Sequence, residues 1–203
     1  MPEDRNHDDY WNHNAAYHPW LVGIAARRHG RVLDVGCGEG LLVQRLADVS
    51  RDVLGVDTDP SAIGRARARL RPVDNAAVVL TGFEGFAAGR RTYDLIAFVA
   101  SLHHLPLRET LLKARRLLAP GGELAVVGLS ANKGVVDWAW AALCLPAAGV
   151  GSWLHGETRD IGVAVAEPSE SLAEIRRVAD DVLPGARIRR GLYYRYRLHW
   201  RNA

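Results

Sequence analysis

The sequence predicts an α/β fold built on one doubly wound, mostly parallel sheet that ends in an antiparallel C-terminal strand. Three observations predict it. Short apolar runs at 31–35, 53–57, 77–80, 93–99 and 123–129 alternate with helical stretches, the order that folds into parallel strands joined by crossover helices. The third and fourth runs are near-continuously apolar, as strands covered by helices on both faces are. The last segment, 186–200, reads instead as a short strand, Gly191 and a longer strand in strict alternation, the pattern of strands with one solvated face.

In chain order, residues 1–9 are polar and acidic, and order there is expected only with a ligand. Residues 10–20, dense in aromatic and imidazole side chains, lead into a helix through Arg28. The first strand, Arg31–Val35, runs into a glycine turn and the apolar-periodic helix Leu41–Ala47. The second, Val53–Asp57, ends in an acid; Asp59 and Pro60 then open a helix over Ser61–Leu70, a cap followed by proline at the first helical position. Strands follow at Ala77–Leu80 and Tyr93–Val99. The helix Pro106–Leu118 stops at Ala119-Pro120-Gly121-Gly122 before the fifth strand, Glu123–Leu129. From Ser130 to Pro168 the pattern lapses: 137–146 is helical and apolar, and a Gly-rich polar stretch with Glu157, Thr158, Arg159 and Asp160 comes after it. A capped helix over 168–182 closes at Leu183-Pro184-Gly185.

A chain of 203 residues with 48% hydrophobic and 24% charged residues suits one domain, 1–203, with a full core. Its net charge of +3 is scattered, which permits an anionic partner without requiring one. Cys37 and Cys144 lie far apart, outside any C-x-x-C or Cys/His ligand pattern, so no metal site is expected and a reduced, cytoplasmic setting is. The polar N-terminus lacks the apolar core of a signal peptide.

Asp34-Val35-Gly36-Cys37-Gly38-Glu39-Gly40 carries the chemistry. A strand that ends in a glycine turn and opens into a helix lets a ligand approach the backbone without meeting a Cβ. A dinucleotide site would ask for G-x-G-x-x-G/A beside a pyrophosphate, whereas the spacing here is G-x-G-x-G with an acid at the strand's end. A carboxylate there repels a pyrophosphate and suits a ligand with an amino group and a sulfonium.

With these residues the chain resembles the class I S-adenosylmethionine-dependent methyltransferases. The resemblance is carried by Val32–Gly40, by Gly55-Val56-Asp57, by Tyr93-Asp94-Leu95-Ile96 through Leu102-His103-His104-Leu105, and by Leu117–Gly122 before the fifth strand. It spans roughly 10–130 and implies a Rossmann-like, seven-stranded sheet and S-adenosylmethionine as cofactor. By that resemblance Asp34, Gly36, Cys37, Gly38 and Gly40 line the methionine moiety, and Asp57, beside Thr58, accepts the ribose hydroxyls. Phenylalanine stands at Phe83, where the family commonly has an acid, so Phe83 is expected to offer its backbone N–H to adenine or to stack on it. Val99 and Ala100 wall the cofactor. An N-terminal cap, 1–28, folds over it in the family, with Tyr17 and His18 as the candidates to touch the methionine carboxylate. Cys37 reads first as a small filler between glycines, and the aromatics of 10–20 read equally as sheet packing.

The acceptor is expected to be a small, hydrophobic or aromatic molecule methylated on O, N or C, seated under a lid or substrate insertion at 130–167. His104, and next to it His103, are the candidates for a general base if the acceptor needs deprotonation, set against an equally ordinary structural role. The uncharged run 138–154 is too short for a membrane span, and reads as lid ahead of core or membrane-surface contact. The Arg/Tyr alternation at the C-terminus reads as a solvated edge before a nucleic-acid surface. Two alternatives stay open, a tRNA or other nucleic-acid methyltransferase and a non-catalytic cofactor-binding accessory protein. The first lacks an Asn/Asp-Pro-Pro-aromatic motif after strand four, where the chain has Ala97-Phe98-Val99-Ala100. An NAD(P) oxidoreductase would need Tyr-x-x-x-Lys, and neither Lys113 nor Lys133 has that tyrosine. Monomer and homodimer both remain open.

Overall fold

The structure, a computed structural model, describes residues 11–134, Asp137, Trp140, Cys144 and 168–203. Its elements are α1 (His18–Ala26), β1 (Arg31–Val35), α2 (Leu41–Ala47), β2 (Asp52–Asp57), α3 (Pro60–Arg69), β3 (Ala76–Leu80), β4 (Tyr93–Val99), α4 (Leu107–Leu117), β5 (Leu118–Gly128), α5 (Leu172–Val182), β6 (Arg187–Arg190) and β7 (Tyr196–Arg201). Seven strands form one sheet in the order β3-β2-β1-β4-β5-β7-β6. β1 to β5 pair in parallel, and β7 alone is reversed, antiparallel to both β5 and β6. The class and the reversed C-terminal strand agree with the sequence reading.

Helices cover both faces. On one side Leu21, Ile24, Leu42, Val43, Leu46 and Ile63 of α1–α3 pack on Val32, Val53, Leu95 and Ala125. On the other Leu107, Leu111, Leu172, Ile175 and Ala179 of α4 and α5 pack on Leu33, Ile96, Phe98 and Leu198. This double cover explains why β1 and β4 are apolar without alternation.

Three expectations need correction. β3 is the sheet's edge and not a strand buried on both faces: Val79 and Leu80 are 42% and 47% exposed. The Pro120-Gly121-Gly122 stop does not separate helix from strand, because α4 ends at Leu117 and the extended strand β5 already begins at Leu118. The C-terminal helix starts at Leu172 and not at Pro168, because Ser171 and Glu174 form a reciprocal capping box that fixes the first turn. By contrast, Asp59 caps α3 through a 2.8 Å bond from the Ser61 N–H, with Pro60 in the first turn as read.

Most of the proposed lid, and the acidic residues 1–9, lie outside the described residues. Among the described residues no helix is long and apolar enough to cross a membrane, and no group of three or more His, Cys, Asp or Glu could hold a metal ion.

Candidate active site

β1 ends inside the core, so its last polar residue is buried there. Asp34 is 2% exposed, and its Oδ1 has no hydrogen-bond partner among the described residues. Burial, with the charge of Asp57 adding to it, pushes the Asp34 carboxyl up to about 7. The loop that follows is tied to β2: the N–H groups of Gly36 and Cys37 both donate to the Val56 carbonyl, at 2.8 and 3.1 Å. Gly36, with φ of +74°, leaves no room for a side chain, since a Cβ would sit 2.3 Å from Cβ of Ser101. Ser101, from the loop after β4, also donates its hydroxyl to the Val35 carbonyl.

Asp57 meets the same loop from β2. Its Oδ2 accepts from the Gly38 N–H at 2.8 Å and its Oδ1 from the Asp59 N–H at 2.9 Å. These bonds aim the carboxylate and leave each oxygen another lone pair. Thr58 is exposed, and its Cγ2 lies 3.4 Å from where a Cβ on Gly82 would be, which brings the ends of β2 and β3 together.

Not every candidate side chain faces the glycine turn. Cys37 is buried with its sulfur against Gly55, so a Cβ on Gly55 would fall 2.7 Å from it; the thiol fills the strand–helix junction, and burial pushes its pKa up. The Phe83 ring is 2% exposed, set edge-to-face on Phe98 at 5.4 Å with the Lys113 ammonium 5.1 Å from its centroid. That ring is part of the core, which leaves its backbone and not its face toward the loop after β3. Tyr17 donates its hydroxyl to the Leu192 carbonyl at 2.7 Å, and the Nδ1 of His18 lies 2.8 Å from the Arg45 guanidinium of α2. Both residues thus hold the N-terminal segment to the body of the fold. Tyr17 spends its one donor proton at the turn between β6 and β7.

Val99 and Ala100 are half-buried where β4 leaves the sheet. Ala100 has a φ of +51° and donates its N–H to the Val127 carbonyl at 2.8 Å. A left-handed alanine is a strained residue held by its surroundings. The 3₁₀ turn Leu102–His104 follows, with the His103 and His104 rings 4.2 Å apart and tilted by 37°. His103 is half-buried and His104 exposed.

Sequence reasoning missed several residues here. Arg69 of α3 clamps the glycine turn, donating to the Glu39 carbonyl at 3.2 Å and pairing with the Glu39 carboxylate at 3.3 Å. Lys113 of α4 donates to the carbonyls of Phe83, Glu84 and Phe86 at 2.6, 2.9 and 2.7 Å, pinning the loop after β3. Each is one of several cations on its helix, with nothing in the local pattern to single it out. Beyond the carboxyl end of β5 opens a cavity of about 480 Å³ whose lining includes Leu129, Trp140, Leu172, Arg190, Tyr194 and Tyr196. These come from four separate regions; the expected substrate insertion at 130–167 covers Trp140, whereas the Arg/Tyr segment reads in the sequence as a solvated edge.

The family described as a methyltransferase domain matches residues 32–122. An uncharacterized methyltransferase of Mycobacterium tuberculosis is 33% identical over 197 residues, covering 96% of this chain and 98% of that protein. The chain belongs to the class I S-adenosylmethionine-dependent methyltransferases. S-adenosylmethionine is the cofactor of this methyltransferase. The ubiquinone biosynthesis O-methyltransferase of Acinetobacter baumannii is 31% identical over 140 residues, 61% of this chain and 58% of that protein. The structure of the N-methyltransferase NodS from Bradyrhizobium japonicum, in complex with S-adenosylhomocysteine, shares the methyltransferase's fold with a TM-score of 0.63 at 20% identity, covering 93% of this chain and 86% of that one.

Proposed function

We propose that this methyltransferase methylates an O, N or C nucleophile of a small hydrophobic or aromatic molecule. The observation that carries the reading is the cavity beyond the carboxyl end of β5, walled by Trp140, Tyr194 and Tyr196. β5 pairs with β4 up to Val99↔Val127, so the cavity opens beside the strand end that bears Ala100. The relatives named above for ubiquinone biosynthesis agree with a small acceptor.

The residues present fit the cofactor. A buried carboxylate oxygen without a partner among the described residues, Asp34 Oδ1, suits a cationic amino group, and the two aimed oxygens of Asp57 suit a pair of ribose hydroxyls. Gly36, Gly38 and Gly40, all at positive φ, let the methionine portion lie against bare backbone. Thr58, Gly82 and the Phe83 N–H border the adenine, and Val99 and Ala100 wall the ligand on the β4 side. When bound, S-adenosylmethionine supplies an electrophilic methyl group on a positively charged sulfur.

The protein's own contribution is position. Holding donor and acceptor in line in a water-poor cavity supplies effective molarity, an effect that reaches about 7–11 kcal/mol in well-oriented systems. His104 or His103 takes the acceptor's proton where the nucleophile carries one, an effect of about 10²- to 10⁴-fold. The experiment is calorimetry with S-adenosylmethionine and NADP, followed by transfer of labelled methyl to small-molecule and tRNA pools. The expected result is affinity for S-adenosylmethionine alone and label in small molecules. Label found only in RNA overturns the choice of acceptor.

A further inference from the structure

Tyr196 begins β7 opposite Gly128, the last residue of β5. Its ring crosses over that glycine so closely that a Cβ there would fall 2.4 Å from Cζ and 2.5 Å from the hydroxyl oxygen. Glycine at 128 is thus what lets the phenol reach the end of the sheet. The residue is 3% exposed and lines the cavity at the end of β5. A phenol on the wall of a water-poor cavity gains from a hydrogen bond to whatever enters it. The cavity that Tyr196 lines is where a partner can enter.

The other walls add to the picture. Trp140 is fixed by a bond from its indole N–H to the Gly191 carbonyl at 3.3 Å. Tyr193 and Tyr194 both adopt left-handed backbone, with φ of 57° and 60°, and Arg195 braces the turn by donating to the Tyr193 carbonyl at 3.1 Å and to Asn14 Oδ1 at 2.9 Å. Two consecutive non-glycine residues in that region are costly unless held. Here the result is an aromatic side chain, Tyr194, on the cavity wall. Of the two cations in the lining, Arg190 is paired with Asp137 at 2.6 Å and Arg195 is bonded to Asn14 and the Tyr193 carbonyl, so the phenol shares the cavity's polar selectivity with Ser130 and Asn132.

We propose that the Tyr196 hydroxyl is the hydrogen-bond donor that selects an oxygen-bearing aromatic acceptor within the cavity. The inference rests on the acceptor site given under the proposed function and deepens it. Burial, helped by the negative charge of Glu170, pushes the Tyr196 phenol up, so it stays protonated and acts as a donor and never as a base. Trp140 and Tyr194 supply the flat walls, and Tyr196 reads the oxygen.

The test uses the full chain loaded with S-adenosylhomocysteine and two matched probes, acetophenone and its oxygen-free analogue α-methylstyrene, with affinities read by ligand-detected NMR. The expected wild-type preference for acetophenone is about tenfold, the size of one neutral hydrogen bond made in a dry site. Tyr196→Phe is expected to erase that preference while leaving S-adenosylhomocysteine affinity unchanged. Trp140→Ala is expected to weaken both probes alike, and because a ratio is read, a modest folding defect in either variant cancels. Equal wild-type affinity for the two probes, no binding of either, or an unchanged ratio in Tyr196→Phe overturns this inference. Failure to bind S-adenosylhomocysteine would instead strike the cofactor reading beneath it.

Discussion

At the scale of single residues, Asp34 couples ligand binding to pH. Its carboxyl sits at about 7 instead of the ordinary 3.8, chiefly through burial, so the folded chain holds a proton that the unfolded chain releases between those values. With a raised folded-state pKa, the contribution to stability is complete below about pH 4 and is lost as pH rises through 7. An ammonium brought beside Oδ1 reverses the balance by favouring the charged form. Asp34→Asn is therefore expected to raise the melting temperature of the ligand-free protein at pH 8, with a smaller effect at pH 5, and to weaken S-adenosylhomocysteine binding. Differential scanning fluorimetry at the two pH values checks it, and a lower melting temperature at pH 8 sinks the idea. Gly36 is constrained twice, by its positive φ and by Ser101. Gly36→Ala is expected to cost about 2–3 kcal/mol in urea unfolding, as overpacking adds to backbone strain. A change under ~0.5 kcal/mol would show that the loop gives way.

At the scale of elements, what the sequence makes legible is what local chemistry dictates. β1, β2 and β4, the Asp59 cap and the G-x-G-x-G turn are each specified within a few residues, and each is found where the pattern puts it. β3 misleads because its apolar composition is that of a covered strand, while its place at the edge is decided by pairing with β2, which composition does not encode. The side chains of Phe83 and Tyr17 are placed by partners distant in sequence, Phe98 and Leu192, which local pattern does not encode. The role of Lys113 and most of the wall of the aromatic cavity are illegible for the same cause. Lys113 makes the loop after β3 depend on α4, since its ammonium serves three carbonyls of that loop. Lys113→Met keeps the stem's packing and removes the donors. Hydrogen exchange at 83–86 is expected to quicken, and S-adenosylhomocysteine affinity to fall several-fold, because charge-assisted bonds are worth about 1.5–3 kcal/mol each. Unchanged exchange in that loop refutes the pinning role.

At the scale of the whole molecule, the sheet separates two tasks along one edge. The parallel half presents the ends of β1, β2 and β4 with their glycines and carboxylates, whereas the reversed strand β7 and its neighbours build the aromatic cavity beside them. β7 is able to serve the second task because it runs against the others, so its first residue, Tyr196, arrives at the same end of the sheet as the last residue of β5. Ligand linkage should expose this division. Saturation with S-adenosylhomocysteine at a hundred times its dissociation constant adds about 2.7 kcal/mol, which for a chain of this size raises the melting temperature by roughly 5–10 °C. Protection from hydrogen exchange is expected to gather in 34–40, 57–58, 82–83 and 99–101, and to leave Arg187–Arg190 and the body of β7 unchanged. Stabilisation of that size, with protection confined to β6 and β7, would place the cofactor at the wrong half of the sheet. The glycine turn would then have to be read as a strand–helix connection and nothing more.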